Sequence, residues 1–126
     1  DLVTIGEYAI SNNSNANLTQ IYLPAGLTTI GNQAFLNWKI SEVIIPNSVT
    51  TIGNLAFASC SNLTAITIPS SVTNIGQSAF SSCNGLTSIN FSGTKAQWNA
   101  ITFGKIWNSG TGTYTIHCTD GDIAKS

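Results

Sequence analysis

The residues of this chain able to carry covalent, metal or acid–base chemistry are three cysteines, one histidine and five carboxylates. Cys60 and Cys83 fall at the same place in successive copies of a repeated phrase, and Trp38 fills that place one copy earlier. If the copies stack like adjacent strands, the two cysteines lie about 5 Å apart, within reach of a disulfide or a pair of metal thiolates. A position that also accepts Trp38 is equally one where a reduced thiol packs as a small apolar group. Cys118 is left over, and a metal site needs more ligands than these. His117 precedes Cys118 directly, and neighbours on a strand point to opposite faces, so they do not form a nucleophile–base pair. Asp120-Gly121-Asp122 is a fragment of a calcium-loop pattern without its later acidic ligands, and reads as solvated. Glu7 is expected on a short helical turn and Glu42 on an exposed strand face, in different copies, so no cleft with paired carboxylates is formed. Asn-x-Ser/Thr sequons at Asn12, Asn17, Asn62 and Asn90 are expected by chance in so Asn- and Ser/Thr-rich a chain. No cofactor is expected, and the chain reads as non-enzymatic.

The elements that position these residues follow from the repeat. Leu18-Thr-Gln-Ile21-Tyr-Leu23-Pro24 returns as Ile40-Ser-Glu-Val43-Ile-Ile45-Pro46 and as Leu63-Thr-Ala-Ile66-Thr-Ile68-Pro69, with a fourth copy at Leu86-Thr-Ser-Ile89-Asn-Phe91. In phase with it run Leu27-Thr-Thr-Ile30-Gly31, Val49-Thr-Thr-Ile52-Gly53 and Val72-Thr-Asn-Ile75-Gly76, foreshadowed by Leu2 to Gly6. Ala34-Phe35, Ala56-Phe57 and Ala79-Phe80 follow the glycines. The β-branched alternation predicts a short strand that ends at the proline, then a second extended piece, then one turn of helix or 3₁₀-helix whose Phe plugs the coil. A single such coil cannot bury its own face, whereas stacked coils share a continuous core.

Composition narrows the function. Charged residues are 7% of the 126, with a net charge of -1 and no Arg; a usual soluble domain carries about 25%. This argues against a nucleic-acid footprint and a polybasic membrane patch. The apolar runs, such as Val43-Ile44-Ile45, are too short for membrane insertion. With no Met and no signal peptide, the chain is expected to begin at a processed or engineered end.

The phrase LTAITIPSSVTNIGQSAFSSC at 63–83 resembles the 23-residue leucine-rich repeat of the BspA-like, or Treponema pallidum, type. The resemblance implies an α/β repeat fold: a right-handed leucine-rich-repeat solenoid of about four 22–23-residue coils. It carries a parallel concave sheet, short convex strands and helical turns, and a C-terminal cap. Residues 1–91 are assigned to the repeats and 92–119 to the cap, whose GTKAQWNAI and IHCTDG phrases resemble the segment closing this family's arrays. Within the cap, Thr94 is suited to start a short helix, Trp98 to turn inward, and Thr113 to Cys118 to form a final strand. Residues 120–126 are read as a flexible tail. The resemblance also implies a bacterial surface or secreted protein, with partners such as the host matrix proteins fibronectin and fibrinogen.

Phase places two outward rows on the sheet face: Gln20, Glu42, Ala65 and Ser88, and Tyr22, Ile44, Thr67 and Asn90. Gln20, Tyr22, Glu42, Ile44, Thr67 and Asn90 are the candidate partner-binding residues of an adhesin-like domain, since Tyr22 and Ile44 put apolar groups where other copies carry Thr or Asn. Two alternatives are a spacer or stalk segment of a larger surface protein, with no ligand of its own, and a carbohydrate-binding module built on Trp98, Trp107 and Tyr114. The chain opens in mid-unit without a polar cap, so self-association through the N-terminal coil is a further expectation.

Overall fold

The computed structural model describes residues 3–5 and 20–125, with side chains from 23 onward. Glu7, Ile10, Asn12 and Asn17 lie outside the described residues. Two sheets are wound by one path. The first holds β1 (Val3–Ile5), β3 (Leu27–Ile30), β5 (Thr51–Ile52), β7 (Asn74–Ile75) and β9 (Thr102–Phe103), in that order and all parallel. The second holds β2 (Gln20–Tyr22), β4 (Glu42–Ile44), β6 (Ala65–Ile68), β8 (Ser88–Phe91) and β10 (Thr115–Cys118) in parallel, then β11 (Gly121–Ala124) antiparallel at its edge. The chain alternates between the sheets, which is the solenoid the repeat predicts.

The inward positions form columns. Val43, Ile66 and Ile89 are in register and fully buried, as are Ile30 and Ile52 beside the nearly buried Ile75. Phe35, Phe57 and Phe80 stack down the axis, with centroids 5.2 and 5.4 Å apart and ring planes within 8° and 1° of parallel. Coil spacing imposes that geometry, because a ring repeated at one position on each coil must lie over its predecessor.

The Ala-Phe segments differ from the expected helical turn. Each is a chain of overlapping four-residue turns, closed in the first copy by Ala34 N–H to Gly31 O, Leu36 N–H to Gln33 O and Trp38 N–H to Phe35 O. The intervening N–H groups of Gln33, Phe35 and Asn37 donate instead to the next coil, at Asn54, Ala56 and Ala58 O, over 2.8–3.0 Å. Half the donors are thereby withdrawn from the segment, and no helical ladder can propagate. The left-handed backbone of Gln33, Asn37, Leu55, Ser59, Ser78 and Ser82 turns these donors outward along the axis. Such a conformation costs about 1–2 kcal/mol per residue without glycine, offset here by the repeated inter-coil bonds.

The abundant hydroxyls have a structural task beyond solvation. Ser48 and Ser71 donate to Leu27 and Val49 O of the preceding coil, and Thr64 and Thr87 donate to Ser41 and Thr64 O. Asn32 and Asn54 accept, through Oδ1, the N–H groups of Asn54 and Gln77 at 2.8 Å.

The segment expected to be a cap continues the winding. β9 pairs with β7 and β10 with β8, so 92–118 is another coil. Thr102 follows its register partner Asn74 by 28 residues, where Asn74 follows Thr51 by 23. The five extra positions match the length of α1 (Lys95–Asn99). Thr94 starts that helix with a capping box, accepting from Gln97 N–H while Gln97 Oε1 accepts from Thr94 N–H. Trp98 turns inward against Phe91, Phe103 and Trp107.

Residues 120–126, expected as a flexible tail, instead supply β11, paired with β10 from Thr115↔Ala124 to Cys118↔Gly121. Asp120 is tied as well: its Oδ1 accepts the Lys95 N–H at the start of α1. The tail returns because Gly121, at φ +134°, permits the hairpin and Lys125 Nζ reaches Thr111 and Gly112 O.

Candidate functional site: the six-stranded sheet face

Strand pairing puts the candidate residues on two rows. Gln20, Glu42, Ala65, Ser88 and Thr115 form one; Tyr22, Ile44, Thr67, Asn90 and His117 form the other. For Gln20 and Tyr22 this placement is of the backbone. Phase alone ends both rows at the fourth strand. Thr115 and His117 extend them, and no repeat signal marks these residues because α1 breaks the 23-residue spacing.

The second row changes character along its length. Ile44 is 51% exposed, one of two large apolar side chains in the described residues that stand out in this way. Beside it a shallow cleft of about 470 Å³ is lined by Ala25, Gly26, Pro46, Asn47 and Ser48. At the other end His117 Nδ1 lies 3.1 Å from Asp122 Oδ1, with both side chains exposed. This pair is held by the β10–β11 hairpin and sets a polar end against the apolar one.

The other candidate groups are absorbed by the fold. Cys60 and Cys83 are buried and free, and their thiols donate to Phe35 and Phe57 O of the preceding coil at 3.2 and 3.0 Å. Cys118 is free and half-buried on a strand whose preceding residue, His117, is exposed. Among the described residues no group of three His, Cys, Asp or Glu is placed to hold a metal ion. Trp98 and Tyr114 are buried and Trp107 half-buried, stacked into the terminal core and not presented to a sugar. On the five-stranded side a groove of about 560 Å³ runs across the coils past Thr51, Asn74, Gln77 and Lys105.

The neighbouring Cys83 thiol, together with burial, pushes the Cys60 thiol far above its ordinary value of 9.0; burial also raises Cys118 and Tyr114. All three hold their protons more tightly folded than unfolded. Their contribution to stability is therefore intact below about pH 8.5–9, where unfolded thiols begin to ionise, and is lost as pH rises beyond it. The urea midpoint should hold up to about pH 8 and fall by pH 10, with a smaller fall in Cys60→Ala.

This architecture, with short parallel strands, phased apolar columns and an inter-coil hydrogen-bond ladder, defines a leucine-rich-repeat solenoid. The chain matches the BspA type leucine-rich repeat region in 6 copies across residues 1–109, and it belongs to that family. The match runs past residue 92, in keeping with the extra coil. The structure is similar to a leucine-rich cell surface protein from Faecalibacterium prausnitzii A2-165, at 34% identity and TM-score 0.58, over 81% of this chain and 34% of that one. It is also similar to a leucine-rich repeat protein from Bacteroides capillosus, at 27% identity and TM-score 0.64, over 90% of this chain and 85% of that one. The chain thus spans about a third of the length of the Faecalibacterium protein. Among curated proteins nothing matches. No helix among the described residues is long and apolar enough to cross a membrane.

Proposed function

We propose that this is a non-enzymatic, adhesin-like interaction domain displayed outside a bacterial cell, which holds a host or cell-surface macromolecule on its six-stranded sheet face. The observation that carries the reading is Ile44. A β-branched side chain half in water on an exposed strand face leaves apolar area uncovered in the isolated domain. Against a partner it would bury apolar area worth about 25 cal/mol per Å². Similarity to a leucine-rich cell surface protein supports the location. The contact residues are Gln20, Tyr22, Glu42, Ile44, Thr67 and Asn90, extended by Thr115 and His117 along the same rows.

Interferometry against fibronectin, fibrinogen, collagen and a glycan panel tests the proposal. Saturable binding to at least one surface, weakened tenfold or more in Tyr22→Ala/Ile44→Ser, is the expected result. Binding unchanged in the double variant removes the sheet face. Silence across the panel favours a spacer segment, a second reading supported by the chain's spanning 34% of its cell-surface relative.

A further inference from the structure

The groove of about 560 Å³ on the five-stranded side crosses the coils from Asn32 to Lys105. Gly53, Gly76 and Gly104 lie half-buried along its floor. They are glycines because the coils approach closely there: a Cβ on any of them would come within 2.7 Å of the preceding coil. The side chains missing from the floor leave a trough between two polar columns. One is the residue after each glycine: Asn32, Asn54, Gln77 and Lys105, all exposed. The other is the strand row Thr51, Asn74 and Thr102, held in register by the pairing of β5, β7 and β9.

The first column is a row of unused donors. Asn32 and Asn54 commit Oδ1 to the N–H groups of Asn54 and Gln77, so each amide has its Nδ2 left over. Among the described residues neither Nδ2 meets an acceptor, and the Gln77 amide and Lys105 ammonium have no partner either. No carboxylate lines the groove. Glu42 is on the other sheet, and Asp120 and Asp122 belong to the β10–β11 hairpin. Glu7, which follows Gly6 in sequence as Asn32 follows Gly31, lies outside the described residues. At the Lys105 end the lining gains a half-buried aromatic ring, Phe103, braced by Trp107 at 4.6 Å.

We propose that this groove binds a linear acidic polysaccharide, laid across the coils with its carboxylates against the amide column and Lys105. The spacing selects the class of ligand. Coils repeat every 4.8 Å or so, about the strand separation, and a pyranose linked through opposite ring carbons advances its chain by a similar step. One sugar therefore meets one amide on each coil. An extended peptide advances by about 3.3 Å per residue and falls out of step. Nor can a peptide add to this sheet within the groove, because β3, β5 and β7 are each paired on both sides. The donors select the charge: amides and an ammonium, with no carboxylate among them, suit a ligand that brings acceptors, and bonds to an ionised acceptor are roughly twice as strong as neutral ones. Thr51, Asn74 and Thr102 face the sugar hydroxyls, and Phe103 offers a ring to a C–H face.

Titration calorimetry on the whole chain with oligogalacturonate as the probe tests the proposal. Saturable binding that weakens as salt is added is expected. Gln77→Glu places a like charge in the middle of the amide column and should cost tenfold or more in affinity; Lys105→Gln should weaken binding by a smaller factor. Both side chains are exposed and unpaired, so circular dichroism and melting point should stay those of wild type. Tyr22→Ala/Ile44→Ser alters the other sheet and should bind the uronate like wild type, which separates failure of this site from failure of the sheet-face reading. Absence of saturable binding overturns the proposal, as does a loss of uronate binding in that double variant. Unchanged binding in Gln77→Glu overturns it too. Equal affinity for the methyl-esterified oligosaccharide removes the acid from the argument, and equal affinity for poly-aspartate removes the sugar; either result overturns it.

Discussion

Phe57→Ala is expected to destabilise the domain by about 3–5 kcal/mol, the range for removing a fully buried aromatic side chain without collapse of the space around it. Phe57 is the middle ring of the column, stacked on Phe35 below and Phe80 above, and has no exposed surface. Collapse is resisted because the backbone on either side is pinned. Phe57 N–H donates to Ala79 O at 2.8 Å, and Phe35 N–H donates to Ala56 O at the same distance. The cavity must therefore remain, with two rings losing a stacking partner. Equilibrium urea unfolding measures this as a fall in midpoint at nearly constant slope. A loss below about 1 kcal/mol would mean that the coils do close over the gap, contrary to a rigid ladder.

Gly76→Ala should destabilise by about 1–3 kcal/mol, the usual cost of overpacking. The sign is informative, because Gly→Ala at an unstrained site stabilises by about 0.4–1 kcal/mol through the unfolded chain. At Gly76 the new methyl would lie 2.5 Å from Asn54 Oδ1, 2.6 Å from Asn54 N and 2.7 Å from the Gly53 carbonyl carbon. The same Asn54 Oδ1 accepts the Gln77 N–H, so relieving the clash weakens an inter-coil bond. The glycine is thus required by close approach of one coil to the next, and its φ is not among the left-handed values. Thermal melting of Gly76→Ala beside wild type decides the matter; an increase in melting temperature would refute the tight approach.

The two effects share a cause. In this fold a residue's neighbours are its counterparts 22–28 positions away, and single changes act on the stack. The same holds for the surface, where Ile44 and His117 share a row although 73 residues separate them.

The sequence by itself determined the winding. Leucine, isoleucine and valine recurring in phase with proline and glycine set strand positions, register and core, because a period-two pattern repeated every 22–23 residues has one way to bury its apolar set. The rows through Glu42, Ile44, Thr67 and Asn90 were legible for that reason, as were the Thr94 cap and the inward turn of Trp98. Local residue types could not decide the rest. The Ala-Phe segments look helical in sequence and become left-handed turns because half their N–H groups find better acceptors on the next coil. Asp120 to Lys125 looks like solvated tail and becomes a strand because β10 offers an edge and α1 an N–H. The unequal edges of the two sheets are equally tertiary: one gains the antiparallel β11, and among the described residues the other ends at β9.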